Sequence, residues 1–304
     1  MQALPALEVY GVSKRYGRLQ ALHPLDLIIP RGAVFALLGS NGAGKTTFMK
    51  AVLGLVSADS GRAVINGVEH ARPASRRGVR YFPETVRFGS WATPEFMHSQ
   101  IERIRRESTR EDLLSRATQL GCADLLGRPF GRMSHGQTRR AALAIATSGR
   151  PSMLFLDEPS NGLDPEGRIL VRELLRQMAA SGTTIVINSH LLGEVEAVCS
   201  MAAFLCRGRV VASGSLDTLL RYKGSARIES PMAGALAERL SGSGYEAAST
   251  GPVVTVPLPE GRTFAALTAE VAGSGIPFTL IELARENLEE LFLRLVHSDE
   301  EGSG

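Results

Sequence analysis

No stretch restricts what this chain can fold into more than GSNGAGKT, Gly39 to Thr46. It fits G-x-x-x-x-G-K-[ST] and stands between an apolar run, AVFALLG, and a helix-forming run that opens at Lys45. That strand-to-helix context makes the pattern a phosphate loop; a chance glycine-rich turn would carry no such flanks. Gly39, Gly42 and Gly44 let the backbone N–H groups of the loop, those of Ser40, Asn41 and Ala43 among them, approach phosphate oxygens. Lys45 spreads positive charge over the terminal two phosphates, Thr46 offers a hydroxyl to Mg²⁺, and Thr47 follows it into the helix.

The 304 residues, 44% of them hydrophobic, suffice for one large core and a second, smaller domain. Nothing approaches the ~18 consecutive apolar residues of a membrane helix, and MQALPALEVYGVSKRYG has no charged segment followed by an apolar one. The expectation is a globular chain that starts in the cytoplasm and does not itself cross a bilayer. A net charge of +3, from 34 basic and 31 acidic residues, offers no electrostatic ground for a nucleic-acid partner. The arginines of RPASRRGVR and IERIRREST read first as a solvated face and only weakly as a partner surface. Cys122, Cys199 and Cys206 form neither a C-x-x-C pair nor a Cys/His ligand set, which predicts reduced structural thiols.

Strands are predicted at LEVYGV, LDLIIP, AVFALLG, RAVING and VRYFP, with a helix from Lys45 to Val56. From residue 93 to 148 the pattern turns helical, an inserted lobe. Beyond it strand and helix alternate through SMLFLD, PEGRILVRELLRQMAA, TTIVIN, LLGEVEAV and MAAFLC, which predicts a parallel-rich sheet wrapped by helices. Asp164 followed by Pro165 starts the second of these as cap and first turn. Composition shifts near Lys223 and Gly224, so one domain is expected over 1–222 and a small one over 223–297. ARIES, MAGALAERL, YEAAS, VVTVPL, RTFAALTAEVAG and PFTLIEL give the latter the order βαββαβ, an α+β domain of ferredoxin-like type. A last helix opens with the capping pair Asn287 and Glu290 and sets Leu288, Leu291, Phe292 and Leu295 on one face; residues 298–304 are expected to be a disordered tail.

Three further constellations carry chemistry. In RMSHGQTRRAALAIA, Ser134, Gly136 and Gln137 precede an alanine-rich helical run; unpaired N–H groups and a partial positive charge make that helix start an anion site. MLFLDE ends an apolar strand in two carboxylates, at the strand end where such sheets hold ligands. Asp157 can hold the Mg²⁺ water shell and Glu158 can polarise a water for attack on a terminal phosphate. Without the phosphate loop both would read as structural ion pairs. His190, in INSH past another strand end, would alone read as a cap or a surface residue; its matching position favours a γ-phosphate contact.

In this order the motifs resemble the ATP-binding cassette family over about residues 7 to 222. MSHGQ occupies the place of the family signature LSGGQ, NGLD (Asn161 to Asp164) looks like the D-loop, and Tyr16 in SKRYG resembles the aromatic residue that stacks on adenine. The resemblance implies a cassette-type phosphate-loop ATPase that binds ATP and Mg²⁺. It also implies two cassettes face to face, Ser134 and Gly136 of one binding the γ-phosphate held by the other, and separate integral-membrane permease subunits that place the chain at the cytoplasmic face. The ending ENLEELFLRLV resembles that of cassettes serving ABC-2-type exporters, which carry a small C-terminal domain of about this length.

Two positions depart from the family pattern. His135 replaces a glycine, with modest consequences expected. Glu84 in YFPET replaces the glutamine of the loop that links the Mg²⁺ site to the membrane partner, keeping an oxygen ligand while adding charge near the triphosphate. Other readings fit less well: soluble translation factors of this kind carry two cassettes, repair ATPases carry long coiled coils, GTPases carry N-K-x-D, and a non-catalytic regulatory module would lack Lys45 or Glu158.

Overall fold

Alternation of buried and exposed residues builds the first two strands of the computed structural model, which describes residues 4–259 and 261–301, with side chains as far as Leu295. β1 (Leu7–Tyr16) and β2 (Leu19–Ile29) each bury one face, whereas VFALL is buried at every position and forms β3 (Val34–Leu38), covered on both sides. β4 (Ser60–Ile65) and β5 (Val68–Glu69) join the first two in an antiparallel sheet of order β2-β1-β4-β5. β3 belongs instead to a second sheet with β6 (Val79–Phe82), β7 (Met153–Asp157), β8 (Thr184–Asn188), β9 (Met201–Cys206) and β10 (Arg209–Ser215). Its order is β10-β9-β3-β8-β7-β6, parallel throughout except for the antiparallel β9–β10 hairpin. Phe35, Leu37, Phe48, Met49, Phe155 and Val186 lie in the core beneath it.

The helix after the phosphate loop, α1 (Lys45–Val52), is shorter than expected. Gly54, at φ +65°, takes the left-handed conformation and its N–H closes on the Ala51 carbonyl, which ends the helix. The lobe holds α2 (Pro94–Arg105), capped by Thr93, α3 (Arg110–Gln119), with a capping box from Thr109 and Asp112, and α4 (His135–Thr147), capped by Ser134. α5 (Pro165–Ala180) starts at the Asp164 cap; α6 (Leu192–Glu196) covers only part of the expected LLGEVEAV, and α7 (Leu216–Leu219), β5 and β10 were not foreseen.

Two compact units divide the chain, residues 1–219 with 292–304 and residues 220–291. The second contains β11 (Tyr222–Glu229), α8 (Ala233–Gly242), β12 (Ala248–Thr250), β13 (Val253–Pro257), α9 (Phe264–Gly273) and β14 (Leu280–Arg285). Its sheet, β12-β13-β11-β14, is antiparallel, and Ile228, Val254, Val256, Leu236 and Leu267 form its core. The order βαββαβ read from sequence is realised, with the second strand later than YEAAS. The Asn287–Glu290 capping pair forms, each backbone N–H donating to the other side chain, and α10 (Leu288–Glu301) runs into the segment expected to be a tail. Residues 302–304 lie outside the described residues.

Three arginines of the two clusters are committed to internal partners, whereas Arg72, Arg77, Arg103 and Arg106 are exposed. Buried Arg80 pairs with Glu102 at 2.7 Å and Glu107 at 3.4 Å, Arg105 donates to the Val79 carbonyl at 2.8 Å, and Arg76 to that of Leu53 at 2.9 Å. Arg80 and Arg105 tie the lobe to β6, and Arg76 ties the segment before β6 to the end of α1. None of the three cysteines forms a disulfide; burial pushes the Cys122 thiol up to about 11 and raises that of Cys199 as well, so both are protonated and unreactive at neutral pH.

Candidate functional site

The phosphate loop is glycine-dependent for steric reasons. At Gly39, φ +149°, a Cβ would sit 2.2 Å from the Leu205 carbonyl oxygen, and at Gly44, φ +104°, 2.6 Å from that of Ala21. Main chain packs against the loop from both sides, so no side chain fits there. Lys45 Nζ donates to the carbonyls of Gly39 at 2.6 Å and Ser40 at 2.9 Å, folding the side chain back over its own loop. Burial lowers its pKa, while the carboxylates of Glu158, Asp157 and Glu84 act in the opposite direction. A cleft of about 500 Å³ opens here, lined by Tyr16, Asn41 to Thr47, Glu84, Glu158, Asn188 and Arg207.

Asp157 ends β7 fully buried. Thr46 Oγ1 donates to its Oδ2 at 2.8 Å and Asn188 Nδ2 to its Oδ1 at 2.5 Å; Tyr81 reaches Oδ2 at 3.5 Å. Parallel pairing of β7 and β8 places Asp157 opposite Asn188, so the amide meets the carboxylate by register. Burial and the Asp157 charge raise the Tyr81 pKa, keeping the phenol a donor. A carboxylate and a hydroxyl held 2.8 Å apart beside a phosphate loop are the hard oxygen donors that Mg²⁺ uses when substrate phosphates and water complete its shell. The buried Oδ1 of Asn188 has no hydrogen-bond partner, so an acceptor is also left over in this cleft. Among the described residues no group of three or more His, Cys, Asp and Glu side chains gathers as a metal site, here or elsewhere.

Glu158 follows Asp157 with φ +52°, a left-handed backbone that costs a non-glycine residue about 1–2 kcal/mol. Its N–H donates to the Asn188 carbonyl at 2.8 Å, and its side-chain Oε2 lies 2.8 Å from His190 Nδ1 and 3.4 Å from the His190 N–H. The carboxylate is largely buried whereas the imidazole is 59% exposed, so His190 bridges it to solvent. Arg139, in α4, is buried beneath this turn. Its guanidinium donates to main-chain carbonyls of Glu84 at 2.6 Å, Pro159 at 3.3 Å and Asp157 at 3.4 Å, and to that of Glu158, while lying 5.0 Å from the Phe82 ring centroid.

Ser134 caps α4 as a capping box: its Oγ accepts from the Gln137 N–H at 3.2 Å and its N–H donates to Gln137 Oε1 at 3.0 Å. The first turn contains no acidic residue, and Ser134 and His135 are exposed. His135 lies over Gly162 so closely that a Cβ there would be 2.6 Å from the ring, and Asp164 Oδ1 accepts from the Gly167 N–H at 3.0 Å as the cap of α5. The structure thus brings Tyr16, the phosphate loop, Glu84 and Glu158 around one cleft and His190 onto Glu158. Ser134, Gly136, Gln137 and Asp164 do not line that cleft. Sequence reasoning missed Asn188, Tyr81, Arg207 and Arg139; the first stands two residues before His190 and had a positional signal, the others none.

The fold and this site define a phosphate-loop nucleotide-binding cassette, and comparison with known proteins agrees. The ABC transporter family model matches residues 22–161. The daunorubicin resistance ATP-binding protein DrrA3 of Streptomyces coeruleorubidus is 30% identical over 97% of this chain and 96% of its own length. The lantibiotic transport ATP-binding protein SrtF of Streptococcus pyogenes is 34% identical over 69% of this chain and 91% of its own. One cyanobacterial relative is spanned over only 64% of its length. A solved ATP-binding subunit of an ABC transporter superposes with a TM-score of 0.65 at 29% identity, covering 70% of this chain and 91% of that one. The chain belongs to the ATP-binding cassette family, as an ABC transporter ATP-binding protein. Among the described residues no helix is long and apolar enough to cross a membrane.

Proposed function

We propose that this chain hydrolyses Mg²⁺-bound ATP as one of two cassettes that drive an exporter through separate membrane-spanning subunits. The observation that carries the reading is the cleft in which the phosphate loop, the Thr46–Asp157 pair and the His190-bound Glu158 converge. The loop amides and Lys45 receive the triphosphate, Tyr16 at the rim stacks the base, and Glu158 takes the proton of the attacking water. His190 fixes the Glu158 carboxylate through Nδ1; contact with the γ-phosphate through Nε2 as well requires both ring nitrogens to carry protons. Thr46, Asp157 and Glu84 would hold Mg²⁺, which would supply charge neutralisation at the phosphates.

The exposed start of α4 lies outside the chain's own cleft and has no acidic first turn, which supports a role for Ser134, Gly136 and Gln137 on a nucleotide held by a second copy. The names of the drug-resistance and lantibiotic-transport relatives support export; a place at the cytoplasmic face of a membrane is part of the same proposal. A second groove of about 480 Å³, lined by Phe82, Thr85, Phe88, Ile101 and Arg105 beside the Glu84 loop, is the surface assigned to the membrane subunit. Affinity purification of the tagged chain from detergent-solubilised membranes should bring down an integral-membrane protein that raises its ATPase rate. Recovery of the chain alone, with unchanged activity in its native membranes, would favour a soluble ATPase instead.

Glu84 gives a sharper test. Its carboxylate gains attraction from Mg²⁺ and suffers repulsion from the triphosphate, opposing terms built from pair energies of about 4 kcal/mol per pair of unit charges at an effective dielectric of ~20 and ~4 Å. Glu84→Gln is therefore expected to keep ATPase activity within about tenfold, or ~1.4 kcal/mol in the barrier. Glu84→Ala should abolish stimulation by the reconstituted membrane subunit. A Glu84→Gln enzyme as inactive as Glu158→Gln would give this carboxylate a catalytic part.

A further inference from the structure

We infer that Arg139 is a positioning residue that holds the Glu84 loop and the Glu158 turn in register with each other. The inference rests on the proposed function in one respect, that Glu158 is the base. A buried arginine ordinarily meets a carboxylate; this one donates instead to four main-chain carbonyls, those of Glu84, Asp157, Glu158 and Pro159. All three of its nitrogens are engaged, so the plane of the guanidinium is fixed. Nη1 fixes one loop and Nη2 the other, so neither can shift without breaking a charge-assisted bond in a site that is 4% exposed. Phe82, two residues before Glu84, packs on the cation from a further side.

The turn needs this support. Glu158 has a left-handed backbone, and its own N–H is already committed to Asn188. Its carbonyl is the group through which Arg139 acts, so the side chain is aimed from below by Arg139 and from above by His190. Because Arg139 lies five residues into α4, motion of the helix that opens at Ser134 would displace both acidic side chains together. A lysine reaches one carbonyl with a point charge and cannot hold two loops; a methionine holds neither.

The neighbouring arginine supplies the control. Arg140 also donates to main-chain carbonyls, of Leu120 at 3.2 Å and Gly121 at 3.1 Å, but within the lobe and away from the carboxylates. The full-length chain should be compared as wild type, Arg139→Lys, Arg139→Met and Arg140→Met. The measurements are steady-state kcat and KM for ATP, equilibrium ATP binding, and thermal melting.

Misaligning the base by a fraction of an ångström should lower kcat by between about tenfold and a hundredfold in Arg139→Met, with ATP KM and binding within about threefold. Arg139→Lys should fall between this variant and wild type, and Arg140→Met should keep wild-type kcat. Should Arg139→Met fail to fold, the kcat-against-KM split of Arg139→Lys decides alone. Equal losses in ATP binding and kcat, the same loss in Arg140→Met, or wild-type kcat in Arg139→Met would each overturn the inference. An active Glu158→Gln enzyme would instead overturn the base assignment, so the two failures are distinguishable.

Discussion

Glu158→Gln is expected to bind ATP and hydrolyse it at least about a hundredfold more slowly, since a positioned general base contributes ~10²–10⁴ in rate, or about 3–5 kcal/mol. The amide has the same shape and can accept from His190 Nδ1 at the place of Oε2, so the contact at 2.8 Å survives while the acceptor for the water proton is lost. The substitution also removes one negative charge from a cleft that must accommodate a triphosphate. Binding is accordingly retained or strengthened, and the ATP-bound dimer should accumulate. Size-exclusion chromatography with ATP and Mg²⁺, alongside a phosphate-release assay, reads both effects. A variant that stays monomeric, or that hydrolyses at the wild-type rate, would remove Glu158 from its role.

Ser134→Arg is expected to abolish hydrolysis while ATP binding by an isolated subunit stays nearly intact. Two effects coincide at this residue. Loss of the cap on α4 costs about 1 kcal/mol, which lowers stability without unfolding the domain. The guanidinium then occupies the helix start where an incoming anion would sit, and Ser134 is no part of the chain's own cleft. Ser134→Asn separates the effects, because asparagine caps as well as serine and adds no cation. Fluorescence titration with a nucleotide analogue and an ATPase assay on both variants would decide the point. Loss of binding by the folded Ser134→Arg monomer would show that the serine serves a nucleotide within its own chain.

Local patterns made much of this readable. The phosphate loop is contiguous, and its glycines occupy positions where main chain from Leu205 and Ala21 leaves no space. The caps Ser134, Asp164 and Thr109 act within three residues, and the capping pair at Asn287 is likewise local. The length of α1 was misjudged because Gly54, inside an apolar run, turns left-handed and ends the helix. The burial of Arg80 was not legible because Glu102 and Glu107, which neutralise it, lie 22 and 27 positions further along the chain.

What the sequence by itself determined was the set of groups at the site: a loop shaped for phosphates, two carboxylates at a strand end, and a histidine past the next strand, each legible because its chemistry lies within a few residues. What only the tertiary structure decided was how they meet. The register of β7 against β8 sets Asn188 on Asp157, and the left-handed turn at Glu158 presents its carboxylate to His190. The packing of α4 brings Arg139 to carbonyls 18 to 55 residues away. The physical reason is that main-chain carbonyls carry no residue identity. A side chain that binds them leaves no pattern in the sequence, and its partners are set only by the packing of elements against one another.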